Sequence, residues 1–362
     1  MTDASGGIGV DSRWRTCPLV VLTLLTLAGC ASGIPPRYVA TDRMTYGEVI
    51  ADSWKHQTLL NVVRLRYADT PVFLDVSSVI NSYSVAGRAN AGAATASDTN
   101  PGGFNIGAEG SWSNSPTITY QPLTGDRLAG PLLQPVPPAA VFQLLQGGWS
   151  ADLVLTIVAV AISDLRNDSG GIGEDPDFRI LVEALSRIQQ AGALRVRVEP
   201  RNGGNAILVA LRQTDPATAV AKDVRTVRTL LQLGDDVTEF EISSGLEPRN
   251  GREVTIVSRS MLEILLRLGE GIELPTTDVV DGRVTPGRQQ PSDARNPAIA
   301  RIHSAIERPA DSYAAVHYKG HWYWIDDKDF ASKRVFTFLL ILFSLAETNQ
   351  ASAAPTVTVP AR

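Results

Sequence analysis

The sequence LRVRVEPRNGGNAILVAL, residues 194–211, carries the clearest structural signal in this chain of 362 residues. Leucine and valine alternate with arginine over residues 194–198, and a second apolar run fills residues 206–211. The polar segment 201–204 between the two runs contains a pair of glycines. Alternating side chains on either side of such a segment are typical of a β-hairpin. The stretch therefore predicts two antiparallel strands.

Helical periodicity both precedes and follows this hairpin. Downstream, a helix near residues 224–231 is followed by strands at 238–242 and 254–257, and Ser260 is placed to cap another helix over residues 261–268. One helix followed by two strands, repeated, predicts an α+β fold with helix–strand–strand units on a mixed or antiparallel sheet. The upstream helix ends near Gly192 and carries the apolar stripe Phe178, Leu181, Val182, Leu185 and Ile188.

We expect the α+β body to span residues 139–347. Inside it, residues 269–297 contain four prolines and few apolar side chains, which predicts a mobile insertion. The tail 348–362 consists mainly of small and polar residues and is predicted to be disordered. The other predicted elements are helices at 139–145 and 151–165, a hairpin of residues 312–318 and 321–325, and a last helix that starts at 326–327 and buries its apolar run 335–346.

Residues 41–138 form a separate region in this interpretation. A helix is predicted from residue 41 or 42 to about Tyr67, because Pro71 prevents its continuation. A strand at 72–76, a long hairpin and a return strand at 117–120 follow. The segment 123–138 is rich in proline and glycine and is interpreted as a surface connection.

The long hairpin, residues 82–113, is predicted to protrude and is the sharpest functional signal. Polar residues alternate with small or apolar ones in both of its strands, which flank a polar turn at 97–103. Few of its residues are branched, which argues against a conventional core strand. We call the alternate positions that carry small or apolar residues the apolar parity. It contains Tyr83, Val85, Phe104, Ile106, Ala108 and Trp112.

Two environments remain open for this apolar parity. The two strands are about as long as membrane-crossing strands, roughly 9 to 11 residues. A single hairpin leaves two open edges, which hydrocarbon does not tolerate, so insertion would require a ring of subunits that each contribute two strands. The alternative is a hairpin that lies against the body or against a partner protein. We therefore predict a membrane-facing or subunit-facing element.

Composition and motifs exclude several function classes. The net charge of −5, with scattered basic residues, gives no footprint for nucleic acid. No nucleophile elbow, catalytic triad or phosphate-binding loop is present, so neither an enzyme nor a cofactor is predicted. His317 and His321 have the spacing of two metal ligands on a helix, but Lys319-Gly320 between them predicts a turn, and no metal is expected.

An aromatic run near the end of the chain suggests an alternative function. Trp322, Tyr323 and Trp324 offer rings that would stack on sugars. Because side chains alternate along a strand, the two tryptophans share one face and Tyr323 takes the other. Packing in the core is the competing interpretation. A glycan-binding module is therefore the second functional hypothesis.

The N-terminus predicts the location of the protein. Basic residues, an apolar run at 18–27 and small residues at its end are typical of a secretory signal. The final Leu27-Ala28-Gly29-Cys30 resembles the lipobox of bacterial lipoproteins. That resemblance implies removal of residues 1–29 and lipidation of Cys30. Gly33, Pro35 and Pro36 in the segment that follows predict a tether at 30–40. Ala31 lacks the charge of an inner-membrane retention signal, which favours the outer membrane, with the body facing the periplasm.

Two further stretches, 61–67 with 73–78, and 322–327 with the helix predicted after it, resemble hypothetical lipoproteins of Gram-negative bacteria. This resemblance covers about a tenth of the chain by our count and implies no activity. The sequence therefore predicts a lipid-anchored structural or scaffold protein of the outer membrane, an oligomeric component of an envelope or transport assembly. Its expected partners are the membrane, further copies of itself or envelope-complex proteins. The alternative is a periplasmic module that binds cell-wall or surface glycan.

Overall fold

The chain has an α+β fold with mixed and antiparallel sheets, as predicted. The computed structural model describes residues 36–93, 103–167, 175–201, 204–212, 215–234, 237–245, 248, 250–286 and 298–348. The signal segment 1–29, Cys30, most of the hairpin turn and the tail beyond 348 lie outside these residues. Two compact units are present, residues 1–53 and residues 54–362.

Helix α1, Pro36–Arg66, begins earlier than predicted. Residues 36–40 of the predicted tether are therefore helical. Proline suits the first turn of a helix, because the amide hydrogen that it lacks would have no partner there. The C-terminal half of the helix behaves as expected, and it buries Leu59, Val62 and Val63.

Strands β1, Leu74–Ala93, and β2, Phe104–Pro122, form one antiparallel hairpin. It is longer than predicted, because the separate strands expected at 72–76 and 117–120 are continuous with it. A short helix, α2, Asp126–Leu133, then occupies part of the segment expected to be irregular. The helix at 139–145 is confirmed as α3, Pro138–Gln146.

The apolar run predicted as one helix over 151–165 changes its conformation halfway. Helix α4, Ala151–Val158, is followed directly by strands β3, Ala159–Ile162, and β4, Leu165–Arg166. The fully buried Arg259 ends the helix, donating from Nη1 to the carbonyls of Ile157 (3.0 Å) and Ala159 (2.6 Å). Asn167 also donates to the Ala159 carbonyl, at 2.8 Å. These contacts satisfy backbone groups that a helix end leaves open.

Two of the predicted helix–strand–strand units are confirmed and build most of the main sheet. The units pack helices on a mixed six-stranded sheet with the order β4-β3-β8-β7-β6-β5, in which only β7 and β8 pair in parallel. The units are α5 (Pro176–Gln190) with β5 (Leu194–Arg201) and β6 (Gly204–Leu211), and α6 (Ala219–Leu230) with β7 (Glu239–Ser244) and β8 (Glu253–Ser258).

The segment 269–297 is not a mobile insertion over its first 18 residues, 269–286. Helix α7, Met261–Gly269, is capped by Ser260 as predicted and runs into a bend and helix α8, Thr276–Val280. Ile272, Asp278 and Val284 are all buried. These three spaced, buried side chains anchor a proline-containing segment to the core. Residues 287–297 lie outside the described part.

The C-terminal part forms a second sheet and the last helix. Strands β9 (His303–Ala305), β10 (Ala314–Tyr318) and β11 (His321–Ile325) are antiparallel in the order β10-β11-β9, and the predicted turn at Lys319-Gly320 is confirmed. Helix α9, Phe330–Thr348, starts after Asp329 instead of at 326–327, because the Asp329 carboxylate accepts from the Ser332 amide at 3.1 Å. One side of its apolar run is buried, whereas Ile341 is exposed.

Candidate functional site

The hairpin register places the predicted apolar parity of both strands on one face. Val85 lies opposite Trp112, Ala89 opposite Ala108, Ala91 opposite Ile106, and Ala93 opposite Phe104. Directly opposed residues of an antiparallel pair project to the same face. Tyr83 lies opposite Asn114, so it is a diagonal neighbour of Trp112. The other face carries the exposed pair Arg88 and Glu109.

A bulge extends this apolar face to the root of the hairpin. The pairing shifts by one residue between Val76 and Ser78. A shift of this kind reverses the face on which the following residues lie. Val76 and Val79 are three positions apart and would otherwise lie on opposite faces, yet they pair with Tyr120 and Ile118, which share a face. Leu74, Val76 and Val79 therefore continue the apolar face.

The hairpin root is held by two side-chain amides of α1. Asn61 accepts from the Val72 amide at 2.9 Å and donates to its carbonyl at 2.8 Å. Gln57 makes the same pair of contacts with Leu74, at 2.8 and 3.3 Å. These amides replace the hydrogen bonds of a neighbouring strand. The root is therefore fixed to the body by polar contacts, while Leu74 and Tyr120 remain 40% and 55% exposed.

Both outer edges of the hairpin lack a strand partner within the described part of the chain, because β1 and β2 make up a sheet of two strands. An unpaired edge presents amide and carbonyl groups that another strand can bind. Among the residues that the structure describes, no helix combines the length and apolar character needed to cross a membrane.

The aromatic run places its side chains as the alternation predicts. Trp322 and Trp324 are half-buried on one face of the sheet β10-β11-β9, and Tyr323 is fully buried on the other. Trp322 lies beside His317, and Trp324 lies beside His303, with ring centroids 5.3 and 5.4 Å apart. The inclusion of Tyr323 among the glycan-stacking residues is therefore wrong, because its ring belongs to the core.

Tyr323 instead takes part in a buried polar network. The Tyr67 hydroxyl donates to the Asp278 carboxylate at 2.6 Å and shares a 2.7 Å hydrogen bond with the Tyr323 hydroxyl. Asp278 is also 3.3 Å from Arg283 Nη1. Burial raises the pKa of Tyr67 and of Tyr323 above the ordinary tyrosine value. The network joins three segments that are distant in sequence, which identifies it as structural support beneath the aromatic face.

A neighbouring tyrosine gives a pH-dependent prediction. Burial, with a hydrogen bond to Asp69, raises the pKa of Tyr318 from 10.0 to about 12. The folded state therefore holds this proton more tightly, and the unfolded chain loses its own first as the pH rises. We expect stability to fall between pH 10 and 12, and to fall less steeply in Tyr318→Phe. Thermal melts across this range test the prediction, and parallel curves for the two proteins would contradict it.

The two candidate metal ligands are not brought together. His317 pairs with Trp322 and His321 pairs with Tyr318, so the two histidines lie on opposite faces of the hairpin. Within the described ranges, no group of three or more histidine, cysteine, aspartate or glutamate side chains is arranged to hold a metal ion.

Some residues at these sites carry no local sequence signal. The Arg308 guanidinium lies 5.2 Å from the centroid of the Trp322 ring, and Glu273 lies 3.0 Å from His303. Both contacts depend on long-range folding. Gln57 and Asn61 do carry a signal, because they are polar residues four positions apart beside the apolar stripe of α1.

Comparisons of the chain with protein-family models, curated proteins and solved structures found no match.

Proposed function

We propose that the protein is a lipid-anchored structural component of the outer membrane that assembles with further copies of itself through the hairpin β1–β2. The observation that carries this proposal is a hairpin whose predicted apolar residues share one face and whose outer edges have no strand partner within the described part of the chain. An isolated two-stranded hairpin is marginally stable in water, so additional strands would stabilise it.

A second copy of the chain fits these edges better than an unrelated strand. Each hairpin offers the outer edge of β1 and the outer edge of β2, so β1 of one copy can pair with β2 of the next. Repetition of such a head-to-tail contact gives a ring when the rotation closes. Pairing of this kind sets the apolar faces of neighbouring copies side by side, and closure of a ring would shield one shared face, which includes the exposed Leu74, Ile118 and Tyr120, from water.

The lipid anchor supports assembly at a membrane. The lipobox at Leu27-Ala28-Gly29-Cys30 predicts acyl chains at Cys30, and several chains give a durable attachment. Attachment confines the copies to a surface and raises their effective concentration. Because open strand edges are excluded from hydrocarbon, pairing between copies would have to precede any insertion of the hairpin. In this proposal the body faces the periplasm and serves as a scaffold for envelope proteins.

The location has its own test. Cys30→Ser removes the thiol that would be acylated, so this variant should remain an unlipidated precursor that does not incorporate a fatty-acid analogue. Cys17→Ser is the matched control, since the chain has only these two cysteines and Cys17 lies within the predicted signal. Equal labelling of Cys30→Ser and the wild type would refute the anchor.

A further inference from the structure

The outer face of the sheet β10-β11-β9 presents two tryptophans with a small residue beside each. Trp322 lies between His317 and Ala305, and Trp324 lies between Ala315 and His303. Each indole is therefore flanked by an imidazole on one side and by an alanine on the other. Directly opposed side chains are about 5 Å apart, so an alanine leaves space next to the indole. The two rings are two residues apart on one strand, a separation of about 7 Å.

Arg308 adds a positive charge to this face. Its guanidinium lies 5.2 Å from the Trp322 ring centroid, in a cation–π contact, and the side chain is exposed. No carboxylate of the described residues forms an ion pair with it. The Trp322 ring therefore holds a planar, bidentate donor that has no carboxylate partner among the described residues.

We propose that this face binds a saccharide that carries a carboxylate, with its pyranose rings stacked on Trp324 and Trp322. The apolar face of a pyranose packs on an indole, and both tryptophans are only half-buried. Arg308 binds the carboxylate through two parallel hydrogen bonds. His317 and the pair of His303 and Glu273 supply donors and acceptors for hydroxyl groups.

The shape of the site favours a saccharide over a peptide. The side chains form a platform on one sheet face, with alanines where a peptide-binding site would need walls around an anchoring side chain. A stacked ring needs only a flat surface and a few placed polar groups. The inference does not depend on assembly through the hairpin, because the platform lies on a different sheet.

Calorimetric titration of the detergent-extracted mature protein tests the proposal, with tetragalacturonate as the carboxylated probe, cellotetraose as the neutral one and tetraglutamate as the peptide. We expect tetragalacturonate to bind more tightly than the other two. Trp324→Ala and Arg308→Gln should each weaken its binding roughly tenfold or more. Arg308→Gln should leave the weaker binding of cellotetraose unchanged.

Trp54 and Arg127, which are exposed and lie outside this sheet, provide matched controls. Trp54→Ala and Arg127→Gln should change the affinity for tetragalacturonate by less than about twofold. A thermal melt of each variant verifies folding, and the exposed Arg308 provides the test if Trp324→Ala unfolds. Failure of tetragalacturonate to bind would overturn the proposal. So would equal binding of tetraglutamate, or unchanged affinity in Arg308→Gln.

Discussion

Replacing residues 79–118 with a short Gly-Ser turn should leave a cooperatively folded body that no longer assembles. None of the described side chains from Leu74 to Pro122 is buried, so none of those that the deletion removes belongs to the core. Gln57 and Asn61 would still hold the remaining root. The deletion does remove most of both edges at which another copy would pair. Thermal melting and native mass measure the two outcomes. An unfolded product would instead assign the hairpin to the folding core.

Point substitutions on the two parities give a finer test of the same claim. Ile106→Arg lies on the apolar parity and should prevent assembly, because it places a charge on the face that a closed ring would shield from water. Ser111→Arg lies on the opposite, exposed parity and should be tolerated. Equal effects of the two variants on native mass would show that the amphipathic pattern has no role.

Leu339→Asp should unfold the protein. Leu339 is 1% exposed in α9, and its replacement combines the loss of a buried leucine, about 2 to 5 kcal/mol, with the burial of an unpaired carboxylate. The sum approaches or exceeds a typical total stability of roughly 5 to 15 kcal/mol. Loss of the cooperative thermal transition and of the soluble product would confirm the expectation.

Ile341→Asp is the matched control for this variant. Ile341 lies two residues further along the same helix and is 37% exposed, so its carboxylate would remain hydrated. We expect a change in stability of no more than about 1 kcal/mol. Comparable destabilisation by both substitutions would indicate that the exposed side of α9 is covered by a partner or by lipid.

Local pattern predicted the parts of the fold in which one face is apolar. The stripe from Phe178 to Ile188 has the period of a helix, and the alternation at 194–211 has the period of a strand. Both elements are observed where expected. The run at 151–165 is apolar at nearly every position, so periodicity does not distinguish a buried helix from a buried strand. Its switch at Ala159 depends on Arg259, a residue 100 positions later.

The same limit applies to the candidate sites. Parity alone predicted which hairpin residues share a face, because a strand has a period of two. The bulge that places Val76 and Val79 on one face could not be predicted, because no glycine or proline in the sequence marks its position. Asp278 and Arg308 lie in proline-containing segments without periodicity, and their roles come from contacts with Tyr67 and Trp322, which only the tertiary fold provides.

The native mass of the mature, lipidated protein in mild detergent tests the central claim most directly. If copies pair through β1 and β2, light scattering with the detergent contribution subtracted should give a protein mass several times that of one chain. The replacement of residues 79–118 should reduce that mass to a single chain. A wild-type protein that is monomeric under the same conditions would contradict hairpin-mediated assembly.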